Sequence, residues 1–363
     1  MLRSLPVLSA RLQHAGTSSG VPFCYEEARQ RIRARFLNRW PSVALIGAPI
    51  NEGQPIGGVD KAPDAFRKAG LEKVVRNLSL KFEDQGNVPE AVCDDIARAE
   101  SLAPETVKNS RSVGFRVGKV HEQVSAAAAA GKFALTVGGD HSIASGSITG
   151  IAKHHPDLAV VWVDAHADCN TPKTSDSKNY HGMPLAHILG WFDTAVPGFE
   201  WCDHHLATCG ALAEERVALI GVRDLDGMER ELVKRSGLNV FSMSDIDRMG
   251  IGTTMEKALS LVDPKGQRPL HLSFDVDGCD PSVAPGTGTL ARGGLSYRES
   301  HYICEELART DRLVSMDLVE VNPTLDAPQS RQLLHGDDPM IQGTATVSFG
   351  LELISSALGK AIL

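Results

Sequence analysis

The sequence lacks several features that would point to common classes of protein. Aromatic residues make up only 5% of the chain, no run of Lys and Arg forms a basic stripe, and the formal net charge is −8 at pH 7. A nucleic-acid-binding protein usually has a basic surface and aromatic side chains that stack on bases. No apolar run approaches the length needed to cross a bilayer. We therefore expect no nucleic-acid partner and no membrane association.

Closely spaced cysteines are also missing. The seven cysteines are an odd number, lie far apart in the sequence and include no CxxC pair. A zinc knuckle or a thioredoxin-type redox pair would require closer spacing. We expect free thiols in a reducing compartment.

The N-terminus contains no acidic residue before Glu26, and it is rich in Arg and Ser. Leucines recur at helical spacing from Leu2 to Leu12. This composition is typical of a mitochondrial transit peptide, and a disordered tail is the alternative. We predict that residues 1–40 are an N-terminal extension, cleaved before Pro41, and that residues 41–363 form a single catalytic domain. A mitochondrial location follows from the first interpretation, and a cytoplasmic one from the second.

From Ser42 onwards, short apolar runs alternate with helical segments, such as the one from about Ser142 to His155. Continuous apolar runs such as Ala159–Val163 are typical of strands that are covered on both faces, as in parallel sheets. Eight strands separated by helices predict an α/β protein with a three-layer α/β/α sandwich. The predicted strands are Val43–Pro49, Lys81–Asp84, Phe133–Gly138, Ala159–Val163, Val217–Gly221, Val240–Met243, His271–Asp275 and Leu313–Val319.

Polar and acidic clusters follow many of these strands, at the end of an open α/β sheet where ligands bind. Asp164, His166 and Asp168 alternate with alanines, so in an extended chain all three point the same way. Asp275 and Asp277 repeat this arrangement after another strand.

A further histidine, His141, follows the glycines of a third strand, Gly138 and Gly139, which allow a tight turn. With the two groups above it gives six ligands, four carboxylates and two imidazoles, without a thiolate, which suits Mn²⁺ or a similar ion. Four crowded carboxylates would be balanced by two divalent cations. Two such cations could clamp a shared hydroxide. The sequence therefore predicts a site for two metal ions.

The same motifs resemble those of the ureohydrolase family, and within it the arginases. The resemblance is carried by Gly138-Gly-Asp-His-Ser142, Asp164-Ala-His-Ala-Asp168 and Ser273-Phe-Asp-Val-Asp-Gly-Cys-Asp-Pro281, and extends from about Val43 to Pro323. Members are binuclear manganese enzymes with an eight-stranded parallel sheet. The resemblance implies two Mn²⁺ per chain, hydrolysis of L-arginine to L-ornithine and urea by a bridging hydroxide, and a homo-oligomer, in this family a trimer.

The resemblance also implies a role for each metal ligand. Asp164 and Asp275 would bridge both metals. His141 and Asp168 would complete one metal site, and His166 and Asp277 would complete the other.

The loop after the DxHxD motif resembles the segment with which arginases bind the amino-acid end of the substrate. Asn170 and Ser177 would donate hydrogen bonds to the α-carboxylate. Ser175 belongs to the same loop, and Asp226 would accept from the α-ammonium group.

Four residues would act near the guanidinium group. Thr289 and Glu320 match residues beside it, with Glu320 as the carboxylate partner of that planar cation. Asp168 would orient the hydroxide, and His181 would deliver a proton to the leaving amine.

Three alternatives remain open on the sequence. A related ureohydrolase such as agmatinase would lack the present pattern of Asn170, Ser177 and Asp226. A two-metal phosphoesterase would need an Arg cluster or a Gly-rich phosphate loop. A non-catalytic homologue that binds a guanidino compound would be expected to have lost a metal ligand.

Overall fold

Eight strands form one parallel sheet in the computed structural model, which describes residues 40–90, 106–326 and 343–360. The order across the sheet is β2-β1-β3-β8-β7-β4-β5-β6, and every neighbouring pair is parallel. The strands are β1 (Val43–Ala48), β2 (Phe82–Asn87), β3 (Phe133–Gly138), β4 (Ala159–Val163), β5 (Val217–Val222), β6 (Asn239–Ser242), β7 (Leu270–Asp275) and β8 (Leu313–Val319).

Helices cover both faces of this sheet. Within the described residues they are α1 (Ala62–Lys68), α2 (Leu71–Asn77), α3 (Ser110–Ala129), α4 (Ala144–Ala152), α5 (Pro184–Ile188), α6 (Glu200–Cys209), α7 (Gly227–Arg235), α8 (Met243–Val262), α9 (Tyr297–Arg309) and α10 (Ala345–Ala357). Hydrophobic residues of α1, α2, α8, α9 and α10 share one core, and those of α3 to α7 share the other.

Strand geometry explains why two cores form. Successive side chains of a strand point to opposite faces. On β1, Val43 and Leu45 therefore lie in the first core, while Ala44 and Ile46 lie in the second, and all four are buried. A continuous apolar strand of this kind is stable only when both faces are covered. The predicted three-layer α/β/α sandwich with an eight-stranded parallel sheet is confirmed.

The predicted strands all form, with small shifts at their ends. The second strand extends further than predicted, because Phe82–Asn87 continues to pair with β1 along the edge of the sheet. The helix predicted from Ser142 to His155 is shorter than expected, and a one-turn 3₁₀ helix at His141–Ile143 precedes it.

Three other predictions concern the N-terminus, membrane-spanning helices and the cysteines. The predicted N-terminal extension lies outside the described residues except for Trp40, which packs edge-on against Phe133. Among the described helices, none is both long and apolar enough to cross a membrane. The five cysteines in the described ranges are free thiols: Cys169, Cys202, Cys209, Cys279 and Cys304.

The sheet order determines where the polar motifs meet. Strands β3, β8, β7, β4 and β5 are consecutive neighbours, although they are far apart in sequence. In parallel strands the carboxyl ends lie at one edge of the sheet, so the segments that follow these five strands come together there.

Candidate metal centre and substrate cavity

The first candidate metal ligand, His141, is positioned by a close backbone approach at the end of β3. A side chain on Gly139 would lie 1.7 Å from the carbonyl oxygen of Ile50, so no larger residue fits. Neither Gly138 nor Gly139 has a positive φ. The glycines therefore allow close packing rather than an unusual turn, and they position His141 in the following 3₁₀ turn.

The segment after β4 is not extended throughout. Ala165 and Ala167 are fully buried, as the period of two predicts. Asp168, however, has a φ of +50°, in the left-handed region that non-glycine residues rarely adopt. This turn of the backbone brings Asp168 to within 3.0 Å of His141. Strained backbone of this kind is concentrated at functional sites.

The segment after β7 turns at once into a 3₁₀ helix, Val276–Gly278. The Asp275 carboxylate caps this turn by accepting a hydrogen bond from the backbone N–H of Asp277 at 2.8 Å. The Asp277 carboxylate accepts from the backbone N–H of Ala165 at 3.2 Å. It also accepts from the hydroxyl of Thr289 at 3.0 Å. Both aspartates reach the cluster, although Asp277 does so from a turn and not from an extended strand.

A first group of potential ligand atoms surrounds Nδ1 of His141. This atom lies 3.2 Å from Asp164 Oδ2, 3.0 Å from Asp168 Oδ2 and 3.2 Å from Asp275 Oδ2. The atom is buried and has no hydrogen bond of acceptable geometry. Four potential ligand atoms around one point can hold a cation.

A second group surrounds Nδ1 of His166, which lies 3.2 Å from Asp164 Oδ1 and 3.3 Å from Asp277 Oδ2. The two groups share Asp164, which directs one oxygen to each histidine. The six predicted metal ligands therefore form two adjoining clusters joined by one carboxylate.

Burial and mutual repulsion of its carboxylates mean that this cluster needs compensating positive charge. Burial, with the charges of Asp277 and Asp164, raises the pKa of Asp275 well above its usual range. Burial disfavours the charged form of His166, but the charge of Asp277 and a hydrogen bond to Asp164 raise its pKa. Protons would have to neutralise these buried carboxylates unless cations do so. Imidazole and carboxylate donors, with no thiolate among them, suit a hard or borderline divalent metal.

A cavity of about 270 Å³ opens beside the cluster. Its lining residues are His166, Asp168, Asn170, Ser177, His181, Gly182, Asp224, Asp226, Glu229, Asp275, Asp277 and Thr289. Five of the predicted substrate and catalytic residues besides Asp168 are among them: Asn170, Ser177, His181, Asp226 and Thr289. Ser177, Asp224, Asp226 and Thr289 are exposed, whereas Asp275 and Asp277 are buried at the metal end. The cavity therefore has a hydrophilic, accessible mouth and a deep metal end.

Two predicted residues lie behind the cavity and not in its lining. Ser175 is buried, and its hydroxyl accepts a hydrogen bond from the backbone N–H of Lys178 at 3.0 Å. Glu320 is buried, has a φ of +60° and accepts a hydrogen bond from the backbone N–H of His141 at 2.9 Å. Its Oε1 also lies 3.4 Å from Nδ1 of His181. Although burial opposes protonation of His181, this contact raises its pKa to about 9.

Three residues of the cavity lining, Gly182, Asp224 and Glu229, were not predicted from the sequence, and Glu229 is the buried one with an altered pKa. It lies in the first turn of α7, three residues after the N-cap Asp226, and it accepts a hydrogen bond from the backbone N–H of Cys169 at 2.9 Å. Burial raises the pKa of Glu229 to about 8. Acidic residues are common in the first turn of a helix, so the sequence gives no sign that Glu229 lines the cavity.

Comparison with known proteins agrees with this geometry. The model of the Arginase family matches residues 41–357. The chain belongs to the Arginase family. The hepatic arginase of Aquarana catesbeiana is 43% identical over 325 residues, which cover 88% of this chain and 93% of the relative. The relative named "Arginase-2, mitochondrial" from Homo sapiens is 41% identical over 322 residues, which cover 88% of this chain and 85% of the relative.

A solved structure gives the same result for the fold of this Arginase-family chain. The native arginase of Bacillus caldovelox superposes with a TM-score of 0.75 at 35% identity. The superposition covers 89% of this chain and 100% of that chain. The eight-stranded α/β/α architecture is therefore that of a solved arginase.

Proposed function

We propose that this protein is an arginase, which hydrolyses L-arginine to L-ornithine and urea. The observation that carries the proposal is the juxtaposition of two His–Asp clusters, joined by Asp164, with a cavity that presents Asn170 and Asp226 at the other end. A cavity lined by several carboxylates suits a substrate with two cationic groups, the guanidinium and the α-ammonium. The family relationship of the chain supports the same reaction.

We propose two Mn²⁺ as the metals of the site. His141, Asp164, Asp168 and Asp275 would hold one ion. His166 and Asp277 would hold the other together with Asp164, which belongs to both clusters, and the family resemblance implies that Asp275 would also be shared. When bound, such a pair of cations lowers the pKa of water and so supplies a nucleophile near neutral pH. Asp168 would accept a hydrogen bond from that water and orient it toward the guanidinium carbon.

The cavity mouth would recognise the amino-acid end of the substrate. Asn170 and Ser177 offer an amide N–H and a hydroxyl to the α-carboxylate. Ser175 would support them by holding the loop, because its hydroxyl lies 3.4 Å from that of Ser177. Asp226 would accept a hydrogen bond from the α-ammonium group. Agmatine lacks the α-carboxylate that lies beside this group in arginine.

The metal end would hold the guanidinium and the leaving amine. Thr289, which donates to Asp277, lies close to that end. His181 lines the cavity and would give its proton to the leaving amine. Glu320, in contact with His181, would keep that imidazole protonated and would balance the guanidinium charge.

Urea release tests the proposal directly. Chelator-treated protein is loaded with Mn²⁺ and assayed with L-arginine and, as the control, agmatine. We expect urea from arginine and a much lower kcat/KM with agmatine. Preference for agmatine would identify a different ureohydrolase, and metal-loaded protein that binds arginine without turnover would identify a non-catalytic homologue.

Location and assembly belong to the same proposal. Residues 1–40 would direct the protein to mitochondria, as their composition suggests, and residues 41–363 would form the catalytic domain. A fluorescent protein fused to residues 1–40 should enter mitochondria, and should not when the arginines are replaced by glutamine. We also propose a homo-trimer, for which light scattering should give three times the chain mass.

A further inference from the structure

A chain of buried polar side chains leads from the metal cluster into the sheet. Nε2 of His141 lies 2.9 Å from the hydroxyl oxygen of Ser273 on β7. That hydroxyl donates to Oδ1 of Asp317 on β8 at 2.6 Å. Ser273 and Asp317 are register partners, so the sheet itself fixes their separation. All three side chains are buried, Ser273 and Asp317 completely.

The direction of these hydrogen bonds follows from the number of protons. A serine hydroxyl has one proton, and Ser273 donates it to the Asp317 carboxylate. Ser273 can therefore only accept from His141, which must carry a proton on Nε2. The other ring nitrogen, Nδ1, is the atom that faces Asp164, Asp168 and Asp275. The arrangement leaves its lone pair free for a cation.

Asp317 is held as an acceptor by two further donors. Ser147 of α4 donates to Oδ2 at 2.5 Å, and Nε2 of His271 lies 3.0 Å from the same oxygen. Burial opposes ionisation, but the charge of His271 and its hydrogen bond lower the pKa of Asp317. An ionised carboxylate has no proton to donate, so the direction of the chain cannot reverse.

The ring plane of His141 is fixed separately by Trp162. The two rings stack with centroids 4.1 Å apart and planes at 16°. The indole N–H of Trp162 donates to Oδ2 of Asp164 at 3.0 Å. Ring rotation is thus restricted by stacking, and the tautomer is left to the hydrogen bond with Ser273.

We propose that Asp317, acting through Ser273, is a positioning residue that holds His141 in the tautomer able to bind metal. Hydrogen-bond partners behind a metal ligand commonly fix its tautomer and orientation. This series of hydrogen bonds ends at His141 and does not include His166. It therefore supports only the metal position at His141. The inference rests on the proposed metal-dependent function and specifies which buried residues sustain it.

The matched pair Ser273→Ala and Ser147→Ala tests this inference. Both remove one hydroxyl that donates to Asp317, but only Ser273 contacts His141. Mn²⁺ binding to chelator-stripped protein is followed by calorimetry and by electron paramagnetic resonance. Ser273→Ala should weaken one of two binding events by about 10–100-fold, as is usual for such partners, and leave the other nearly unchanged. Ser147→Ala should change neither event by more than a few-fold.

Two further variants separate positioning from a general loss of structure. Ser273→Thr keeps the hydroxyl and should restore the affinity. Asp317→Asn should weaken the same event as Ser273→Ala, because an amide can donate to Ser273 and reverse the bond. The condition for this test is that the wild-type protein releases urea and that both variants keep its unfolding midpoint. Equal Mn²⁺ affinities in Ser273→Ala and Ser147→Ala would then overturn the inference. Wild-type protein that takes up no Mn²⁺ would overturn the proposed function, and the inference with it.

Discussion

The side-chain amide of Asn170 donates a hydrogen bond to the carboxylate of Asp226 at 2.7 Å. This contact joins the loop after β4 to the N-cap of α7, where Asp226 accepts hydrogen bonds from the backbone N–H groups of Met228 and Glu229. The two residues proposed to bind opposite charges of the amino-acid end are therefore held side by side, at the mouth of the cavity.

The first prediction concerns that contact. Asp226→Asn keeps a good helix cap but removes the charge, so KM for arginine should rise while the unfolding midpoint changes little. Asp226→Ala should raise KM similarly and also lose about 1 kcal/mol of stability with the cap. Steady-state kinetics and thermal unfolding measure both effects. An unchanged KM in Asp226→Asn would show that the charge does not contribute to substrate binding.

The second prediction uses the shared position of Asp164. Because this carboxylate belongs to both clusters and Asp277 to one, Asp164→Asn should release both metal ions and Asp277→Asn mainly one. In each variant kcat/KM should fall by more than about 100-fold, since even partners behind a ligand cost up to that much. Metal analysis after dialysis gives the stoichiometry. Equal metal content in the two variants would contradict the shared role.

A third prediction separates His181 from the residue behind it. Loss of a general acid typically costs about 10²–10⁴-fold in rate, so His181→Asn should lower kcat by that order while metal content stays constant. Glu320→Gln keeps an oxygen that can accept from His181 but removes the negative charge that helps to raise the pKa of His181. The alkaline limb of its pH–rate profile should therefore move to lower pH. A limb at the same pH as in the wild-type enzyme would mean that another group controls it.

The fourth prediction concerns the stability of metal-stripped protein. Burial raises the pKa of Glu229 from 4.5 to about 8, so the native state binds this proton more tightly than the unfolded state does. The free energy of unfolding should therefore decrease as pH rises from about 4.5 to about 8, by an amount of the order of a few kcal/mol. Glu229→Gln, which resembles the neutral acid, should weaken this dependence. Denaturant unfolding at pH 6 and pH 8.5 measures the free energy of unfolding in both proteins. The same decrease between these pH values in Glu229→Gln and the wild type would show that Glu229 is not responsible for it.

The fifth prediction tests the close approach at the end of β3. A Cβ on Gly139 would collide with the backbone of Ile50, whereas one on Gly227, at the start of α7, would meet no atom within 4 Å. Gly139→Ala should destabilise the fold by about 1–3 kcal/mol or more, as overpacking does. Gly227→Ala should be close to neutral. If both variants unfold at the wild-type temperature, the backbone can move apart without cost.

Much of this architecture could be predicted because it follows from local sequence patterns. Apolar runs such as Ala159–Val163 identify strands, and the rule that ligands bind at the carboxyl ends of parallel strands brings distant motifs together. An extended backbone does not account for the positions of Asp168 and Asp277. A left-handed residue and a 3₁₀ turn place them instead, and neither is visible in the spacing of the ligands.

Residues whose role depends on tertiary contacts were harder to predict. Glu229 looks like an ordinary acid in the first turn of a helix, and only the packing of α7 against the loop at Cys169 brings it into the cavity. Ser175 and Ser177 are two residues apart in one loop, yet one is buried and the other is exposed. Sequence spacing does not distinguish them, because loop conformation follows contacts with the rest of the protein.

The order of strands in the sheet has a consequence for biosynthesis. His141 emerges from the ribosome long before Asp275 and Asp277, and β8, which separates β3 from β7, is the last strand of the sheet to be made. A nascent chain that has reached only β5 offers some ligands but no complete cage. Each ligand group includes Asp275 or Asp277, so we expect metal binding only after β7 has been made.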